Sequence, residues 1–140
     1  MPTTTQSKVI NAPIEAVWEK FHDFHDLSWA ANVLPVCEKT GDINGREVGA
    51  TRLLNGAFQE TLREIDPQAY SLKYSIDDGP SPVSKDEVSN YFGTIQLSPA
   101  AGGGTLVDWN SSWESSSTDA VEFCHGIYMA LLNELASAFD

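Results

Sequence analysis

The sequence predicts an α+β fold in which a strongly curved antiparallel sheet of about seven strands wraps around a long C-terminal helix. Three observations predict it: a helical apolar pattern follows the first strand at residues 11–24, short strands and turn signals fill residues 33–114, and an apolar stripe runs along residues 120–140. A twisted antiparallel sheet that bends around one long helix encloses space between the two. Whether that space is packed or hollow decides the function.

Length and charge narrow the classes of protein that this chain belongs to. A chain of 140 residues fits one domain, residues 1–140, with one substantial core. The formal charge of −12 repels phosphate backbones and anionic lipid surfaces, so we expect no nucleic-acid partner. No leader pattern and no apolar run of the roughly 20 residues of a membrane span is present, which favours a cytoplasmic location. Both a monomer and a homodimer fit these data.

The two cysteines do not indicate a disulfide or a metal site. Cys37 and Cys124 are far apart in the chain and have no Cys-x-x-Cys spacing. His22 and His25 are three residues apart, but no third clustered ligand follows, so we interpret them as part of a solvated helix end. We therefore expect no metal and no cofactor.

The N-terminal elements are a strand over residues 4–10 and a helix that begins near Pro13. Pro13 suits the first helical position because its missing N–H has no partner there. The polar stretch that follows contains Trp29 and predicts another short turn before the sheet resumes. The apolar positions of the helix repeat at helical spacing: Ile14, Val17, Trp18 and Phe21.

The middle of the chain reads as an antiparallel meander. Asn-Gly, Asp-Gly-Pro and Gly-Gly-Gly segments separate its strands. Residues of one strand alternate between an apolar and a polar face, which predicts one buried and one solvated face of the sheet. The apolar set of that strand is Tyr70, Leu72, Tyr74 and Ile76. The predicted strands cover residues 34–40, 49–54, 57–65, 70–76, 90–97 and 105–114.

The last segment predicts a helix of roughly 20 residues, which spans about 30 Å. Thr118 or Asp119 is placed to cap it, and Glu122 complements the dipole of the first turn. Gly126 lies inside this helix, where it either leaves room for a ligand or is an exposed, tolerated glycine. The apolar stripe consists of Ala120, Cys124, Ile127, Leu131, Leu135 and Ala138.

This order of elements resembles the helix-grip superfamily, which includes START domains, the birch-pollen allergen group, the plant abscisic acid receptors and bacterial polyketide cyclase/dehydrase-like proteins. The resemblance covers nearly the full length. The segments that carry it are "APIEAVWEKFHDF", "VGATRLL", "QETLREID", "SNYFGTIQLSP" and "GGGTLVDWNSSW". It implies a ligand-binding domain, although the superfamily contains carriers, receptors and a few enzymes.

The nearest subgroup looks like the polyketide cyclase/dehydrase and lipid-transport family. In the abscisic acid receptors, a Glu that matches Glu60 and an Asn-Tyr pair that matches Asn90-Tyr91 line the hormone cavity. The receptors' gate loop has no counterpart here, because "LLNGAF" makes a minimal hairpin instead. Hormone signalling is therefore not expected.

Glu60 lies where the strand alternation asks for an apolar residue. If Asn55-Gly56 forms a two-residue turn, Leu53 lies opposite Phe58, and Thr51 lies opposite Glu60. The inward face is then Thr51, Leu53, Phe58, Glu60 and Leu62, and the outward face is Arg52, Gln59, Thr61 and Arg63. An inward carboxylate is costly unless it is hydrated, hydrogen-bonded or paired.

Two interpretations of Glu60 follow. In the functional one, Glu60 sits in a partly wet cavity with a raised pKa and orients the polar end of a ligand. In the structural one, a bulge turns it outward, or a Lys or Tyr satisfies it inside the core.

The other candidate ligand contacts come from strand and helix alternation. Polar and small groups among large aromatic residues are typical of a ligand pocket, although plain core is the alternative at each position. The loop tip Asp78-Gly79-Pro80 is a candidate lid over one end of the cavity. The complete predicted set is Phe58, Glu60, Leu62, Tyr74, Tyr91, Gly93, Ile95, Trp109, Ser111, Trp113, Ile127 and Leu131.

Three functions are compatible with these residues. The leading hypothesis is a non-enzymatic carrier or sensor of a small, largely hydrophobic molecule held between sheet and helix. The second is a cyclase, dehydratase or isomerase in which Glu60 acts as acid or base and Tyr91 or Tyr74 donates a hydrogen bond. No motif for covalent catalysis is present, and His125 is expected at the helix margin. The third is a protein-interaction module that needs no ligand.

Overall fold

The computed structural model describes residues 1–140 and has seven strands, two α-helices and two short 3₁₀ turns. The turns are Ser28–Ala30 and Ala101–Gly103. The first of them contains Trp29, as the sequence predicts. The elements are β1 (Thr3–Ile10), α1 (Ile14–Phe21), β2 (Cys37–Thr40), β3 (Thr51–Leu54), β4 (Phe58–Asp66), β5 (Ser71–Asp78), β6 (Ser89–Pro99), β7 (Thr105–Glu114) and α2 (Asp119–Ser137).

All seven strands form one antiparallel sheet in the order β1-β7-β6-β5-β4-β3-β2. The first strand therefore pairs with the last, and the remaining strands follow as a meander. The predicted α+β class, with a curved antiparallel sheet and a long C-terminal helix, is confirmed. Two irregularities in the β4–β5 pairing, at Gln59/Glu60 and at Leu62/Glu64, interrupt the regular ladder. Such bulges bend strands and increase twist, which helps the sheet to curve.

The C-terminal helix α2 packs against β1 and against the turn Ser28–Ala30. Its buried residues follow helical spacing and differ in part from the predicted stripe. Ile127 is only half-buried and Ala138 is exposed, whereas Tyr128, which the stripe omitted, is buried. The helix therefore faces the sheet through Ala120, Cys124, Tyr128, Leu131, Leu132 and Leu135.

The predicted register between β3 and β4 is wrong by one residue. Asn55 and Gly56 do have the positive φ values of the predicted turn, 53° and 65°, but Ala57 is also outside the ladder. Leu54 consequently pairs with Phe58, and Arg52 pairs with Glu60. Because a one-residue slip exchanges the two faces of a strand, Arg52 and Leu54 point inward.

In the observed register Glu60 still points inward, as predicted, but the predicted orientations of three residues on β3 are wrong. Arg52, predicted to point outward, is buried, while Thr51 and Leu53, predicted to point inward, are only half-buried. Glu60 and Leu62 are both buried, as expected.

No helix of the structure is both long enough and apolar enough to span a membrane.

Gly126 is exposed on α2, and a Cβ placed there meets no atom within 4 Å. The interpretation that Gly126 makes room for a ligand is therefore wrong. We expect Gly126→Ala to raise the free energy of unfolding by about 0.5–1 kcal/mol, because Ala loses less backbone entropy in a helix. Urea denaturation followed by circular dichroism measures this.

Gly93→Ala on β6 is the contrasting control. A Cβ at Gly93 overlaps the ring of Tyr74, so this change is expected to lower stability by about 1–3 kcal/mol. Equal effects of the two substitutions would contradict the packing described for Tyr74.

Candidate functional site

The acidic residue inside the sheet is paired with Arg52 of the neighbouring strand. Arg52 Nε and Nη2 donate hydrogen bonds to Glu60 Oε1, over 2.9 and 2.6 Å. Nη1 donates to the carbonyl oxygen of Phe24 at 3.0 Å, and the guanidinium carbon lies 3.7 Å from the centre of the Phe24 ring. Three hydrogen bonds and an aromatic contact therefore hold the arginine in one orientation.

The pair is withdrawn from solvent. Arg52 is 8% exposed and Glu60 is 5% exposed. Burial raises the pKa of the Glu60 carboxyl above its ordinary value, and the charge and hydrogen bonds of Arg52 offset only part of that rise. Of the two interpretations of Glu60, the structure supports an element of each: the carboxylate points inward, and a basic residue, Arg rather than Lys, satisfies one of its oxygens.

A small cavity lies beside this ion pair, between the sheet and α2. Water-molecule centres can occupy about 40 Å³ of it. Because one water needs about 10–15 Å³ on this scale, the cavity has room for roughly three waters in the conformation described. Ten of its twelve lining residues are hydrophobic. They are Leu27, Leu34, Leu54, Phe58, Tyr74, Ile76, Trp109, Ile127, Tyr128 and Leu131, and Arg52 and Glu60 complete the lining.

The rim of the cavity is formed by its half-buried residues, Phe58, Ile76 and Ile127. Gly79, in the loop predicted as a lid, lies against Phe58 and against the buried Val83. The same loop is held by Asp78, whose carboxylate accepts hydrogen bonds from the backbone N–H groups of Gly79 and Lys85. Its role as a lid stays a prediction.

A chain of buried hydroxyl groups fills the interior next to the cavity. Trp109 Nε1 donates to the Tyr74 hydroxyl over 3.0 Å, and Tyr74 donates to the Tyr128 hydroxyl over 2.8 Å. Tyr128 shares a short hydrogen bond with Tyr91, which donates to Ser111 Oγ at 3.2 Å. Burial raises the pKa of all three tyrosines above the ordinary value, so these hydroxyls are neutral donors and acceptors.

Part of the predicted contact set is structural core. Trp113 stacks on Tyr91 with ring centres 5.0 Å apart, and Gly93 admits the Tyr74 ring where a side chain would clash. Trp113, Tyr91 and Gly93 support the cavity wall from behind and do not line the cavity. The predicted residues that line the cavity are Phe58, Glu60, Tyr74, Trp109, Ile127 and Leu131, and those that do not are Leu62, Tyr91, Gly93, Ile95, Ser111 and Trp113. The role of any of them as a ligand contact stays a prediction.

Two important residues were missed from the sequence. Arg52 was not predicted because a two-residue turn places it on the outer face, whereas the turn has three residues. Tyr128 lies four residues after Cys124 and three before Leu131, so helical spacing alone places it on the buried face of α2. Leu27, Leu34, Leu54 and Ile76 of the lining were not predicted as site residues either.

Two of the three histidines, His25 and His125, make hydrogen bonds within the protein. His25 Nε2 is 2.8 Å from the carbonyl oxygen of Thr51, and the backbone N–H of His25 donates to Asp23. His125 is exposed, with Nδ1 3.0 Å from Gln6 Oε1. No group of three or more His, Cys, Asp or Glu side chains is arranged to hold a metal ion.

Comparison with known proteins agrees with the architecture. Residues 1–140 match the family described as "Polyketide cyclase / dehydrase and lipid transport", and the chain belongs to this family. The comparison with curated proteins gave no significant match.

Solved structures similar to the chain cover almost all of it. A protein of Nitrosospira multiformis is 44% identical, with 99% of this chain and 97% of that one covered and a TM-score of 0.96. The protein XoxI of Bacillus cereus is 27% identical, covers 99% and 96%, and has a TM-score of 0.79. Major latex-like protein 151 of Panax ginseng, at 14% identity, 98% and 96% coverage and a TM-score of 0.75, shares the helix-grip fold.

Removal of one partner of the Arg52–Glu60 pair should leave the other charge buried and unpaired. We expect Arg52→Met to lower the free energy of unfolding by about 3–5 kcal/mol, and Arg52→Met combined with Glu60→Leu to recover a large part of that loss. A double-mutant cycle in urea measures the coupling. The exposed pair Arg63–Asp77, at 3.3 Å, is the matched control, with an expected coupling below about 1 kcal/mol. Similar coupling for both pairs would contradict this assignment.

Tyr128 is the centre of the hydroxyl chain. Tyr128→Phe should lower stability by about 1–3 kcal/mol, because the buried hydroxyls of Tyr74 and Tyr91 both lose a partner. Tyr70→Phe is the control: that ring is half-buried against Trp18, and its hydroxyl is outside the chain, so a change within about 0.5 kcal/mol is expected. Thermal unfolding of both variants measures the two losses of stability. Equal losses would contradict the central place of Tyr128 in the hydroxyl chain.

Proposed function

We propose that the protein binds a small, largely hydrophobic molecule in the cavity between the sheet and α2, as a carrier or sensor. The observation that carries this proposal is the combination of a mostly apolar lining with a single buried ion pair at its wall. Apolar walls with few placed polar groups are typical of small-molecule sites. Membership of a family described by lipid transport supports the same function.

The size of the cavity sets a requirement on this function. Space for a few waters does not hold a lipid-like molecule, so side chains must move before such a ligand enters. The half-buried Phe58, Ile76 and Ile127 at the rim are the residues that can move with the least loss of packing. The ligand then replaces contacts that these side chains make in the closed state.

Acid/base catalysis in the same cavity is the second candidate, because Glu60 and Tyr74 both line it. It is less well supported than binding. The Tyr74 hydroxyl already donates to Tyr128, and the raised pKa of Tyr74 makes it a poor proton donor at neutral pH. One oxygen of Glu60 is already held by Arg52, which limits the use of this carboxylate as a general base.

Toluene is a suitable apolar probe of the binding function. We expect toluene to shift the NMR signals of the Trp109 indole N–H and of the Ile127 methyl groups in a saturable manner, because both residues line the cavity. Trp29 does not line this cavity, so its indole signal is the internal reference.

A variant pair on α2 tests whether the site is the cavity. Ile127→Phe places a larger side chain at the rim and should weaken toluene binding at least several-fold, whereas Gly126→Ala on the exposed face should leave it unchanged. Absence of any shift at Trp109 and Ile127 in the wild-type protein, both with toluene and with its hydroxyl-bearing analogue phenol, would reject the proposed function.

A further inference from the structure

The ion pair in the cavity wall has one unused acceptor. Both hydrogen bonds from Arg52 to Glu60 end on Oε1, and the third bond of the guanidinium goes to the Phe24 carbonyl. Oε2 accepts no hydrogen bond from the protein, and it is not one of the fully enclosed polar atoms without a partner, so a small donor can reach it. A carboxylate oxygen that no protein group satisfies, at an otherwise apolar wall, gains a hydrogen bond from any donor that reaches it.

The other polar side chains near the cavity already form hydrogen bonds with one another. The Tyr74 hydroxyl accepts from Trp109 and donates to Tyr128, and the Tyr128 hydroxyl is shared with Tyr91. A ligand that hydrogen-bonds to either tyrosine has to break this chain. Glu60 Oε2 is therefore the acceptor that a ligand meets without loss of an existing bond.

The charge of the wall is balanced. Arg52 and Glu60 are the only charged residues of the lining, and their charges cancel. An anionic or cationic ligand would bring a net charge into a largely apolar space, and such burial is strongly unfavourable. The cavity therefore discriminates against ions of either sign.

We infer that the ligand is an uncharged, mainly apolar molecule with a hydrogen-bond-donating group, a hydroxyl or an N–H, at the end that reaches Glu60 Oε2. This inference rests on the proposed function and specifies its ligand class. Arg52, fixed by Phe24, acts here as a positioning residue that holds the carboxylate in place. The donor group orients the ligand, and the apolar lining accommodates the rest of it.

Matched benzene derivatives test the inference on the wild-type protein at pH 7. Phenol carries the donor, anisole keeps the oxygen without the donor, toluene has neither, and benzoate and benzylammonium carry opposite charges. We expect NMR titrations at Trp109 and Ile127 to show that phenol binds at least about fivefold tighter than toluene and anisole. This ratio corresponds to about one hydrogen bond, which only phenol can donate. Benzoate and benzylammonium should bind at least tenfold more weakly than phenol.

Glu60→Gln provides the second arm. The carbonyl oxygen of the glutamine still accepts from Arg52. Its NH2 group takes the place of Oε2, so that a donor replaces the acceptor. The preference for phenol over anisole should disappear, because the oxygens of both compounds can accept from the amide, and acetophenone, which carries only an acceptor, should bind more tightly than to the wild-type protein. If this variant does not fold, the comparison of phenol with anisole on the wild-type protein decides alone.

The outcomes separate the two proposals. Toluene and anisole binding as tightly as phenol would overturn the inference and leave the proposed function standing. Benzylammonium or benzoate binding more tightly than phenol would also overturn it. If none of the five compounds shifts the cavity signals, the proposed function fails together with the inference.

Discussion

The interior of this protein depends on the bond between Arg52 and Glu60. Two adjacent strands each place a charged side chain on the concave face of the sheet, where neither charge is tolerable alone. Together they form a neutral unit that is anchored to the Phe24 region and borders the cavity. The pair thus connects β3 and β4 to the segment after α1. It also places one polar group in an otherwise apolar cavity wall.

The fold was predictable from the sequence because its signals are local and repeated. Strand alternation, turn residues and the apolar stripe of α2 each agree with the same architecture, and the family match and the structure confirm it. The orientation of Glu60 was predictable for the same reason, since it follows from the alternation of β4 alone. Its partner was not, because the identity of the facing residue depends on whether Ala57 belongs to the turn or to the strand.

The size of the cavity was beyond the reach of sequence patterns. Alternation reports which side chains point inward, but how far they fill the interior depends on their rotamers and on how they contact one another across the sheet. Tyr74 packs on Gly93 and reaches Tyr128, and Tyr91 stacks on Trp113. Aromatic residues that were predicted as ligand contacts therefore occupy part of the space that a ligand was expected to fill.

A nearly filled interior and a binding function are compatible if different parts of the wall have different freedom to move. The tyrosine chain and the ion pair are tied by hydrogen bonds, so moving them leaves buried polar groups unsatisfied. Phe58, Ile76 and Ile127 have no such bonds and are already half-exposed, so their displacement costs mainly apolar contacts that an apolar ligand can restore. A ligand of the proposed kind would then enter at the rim, while the polar groups proposed to select it stay fixed.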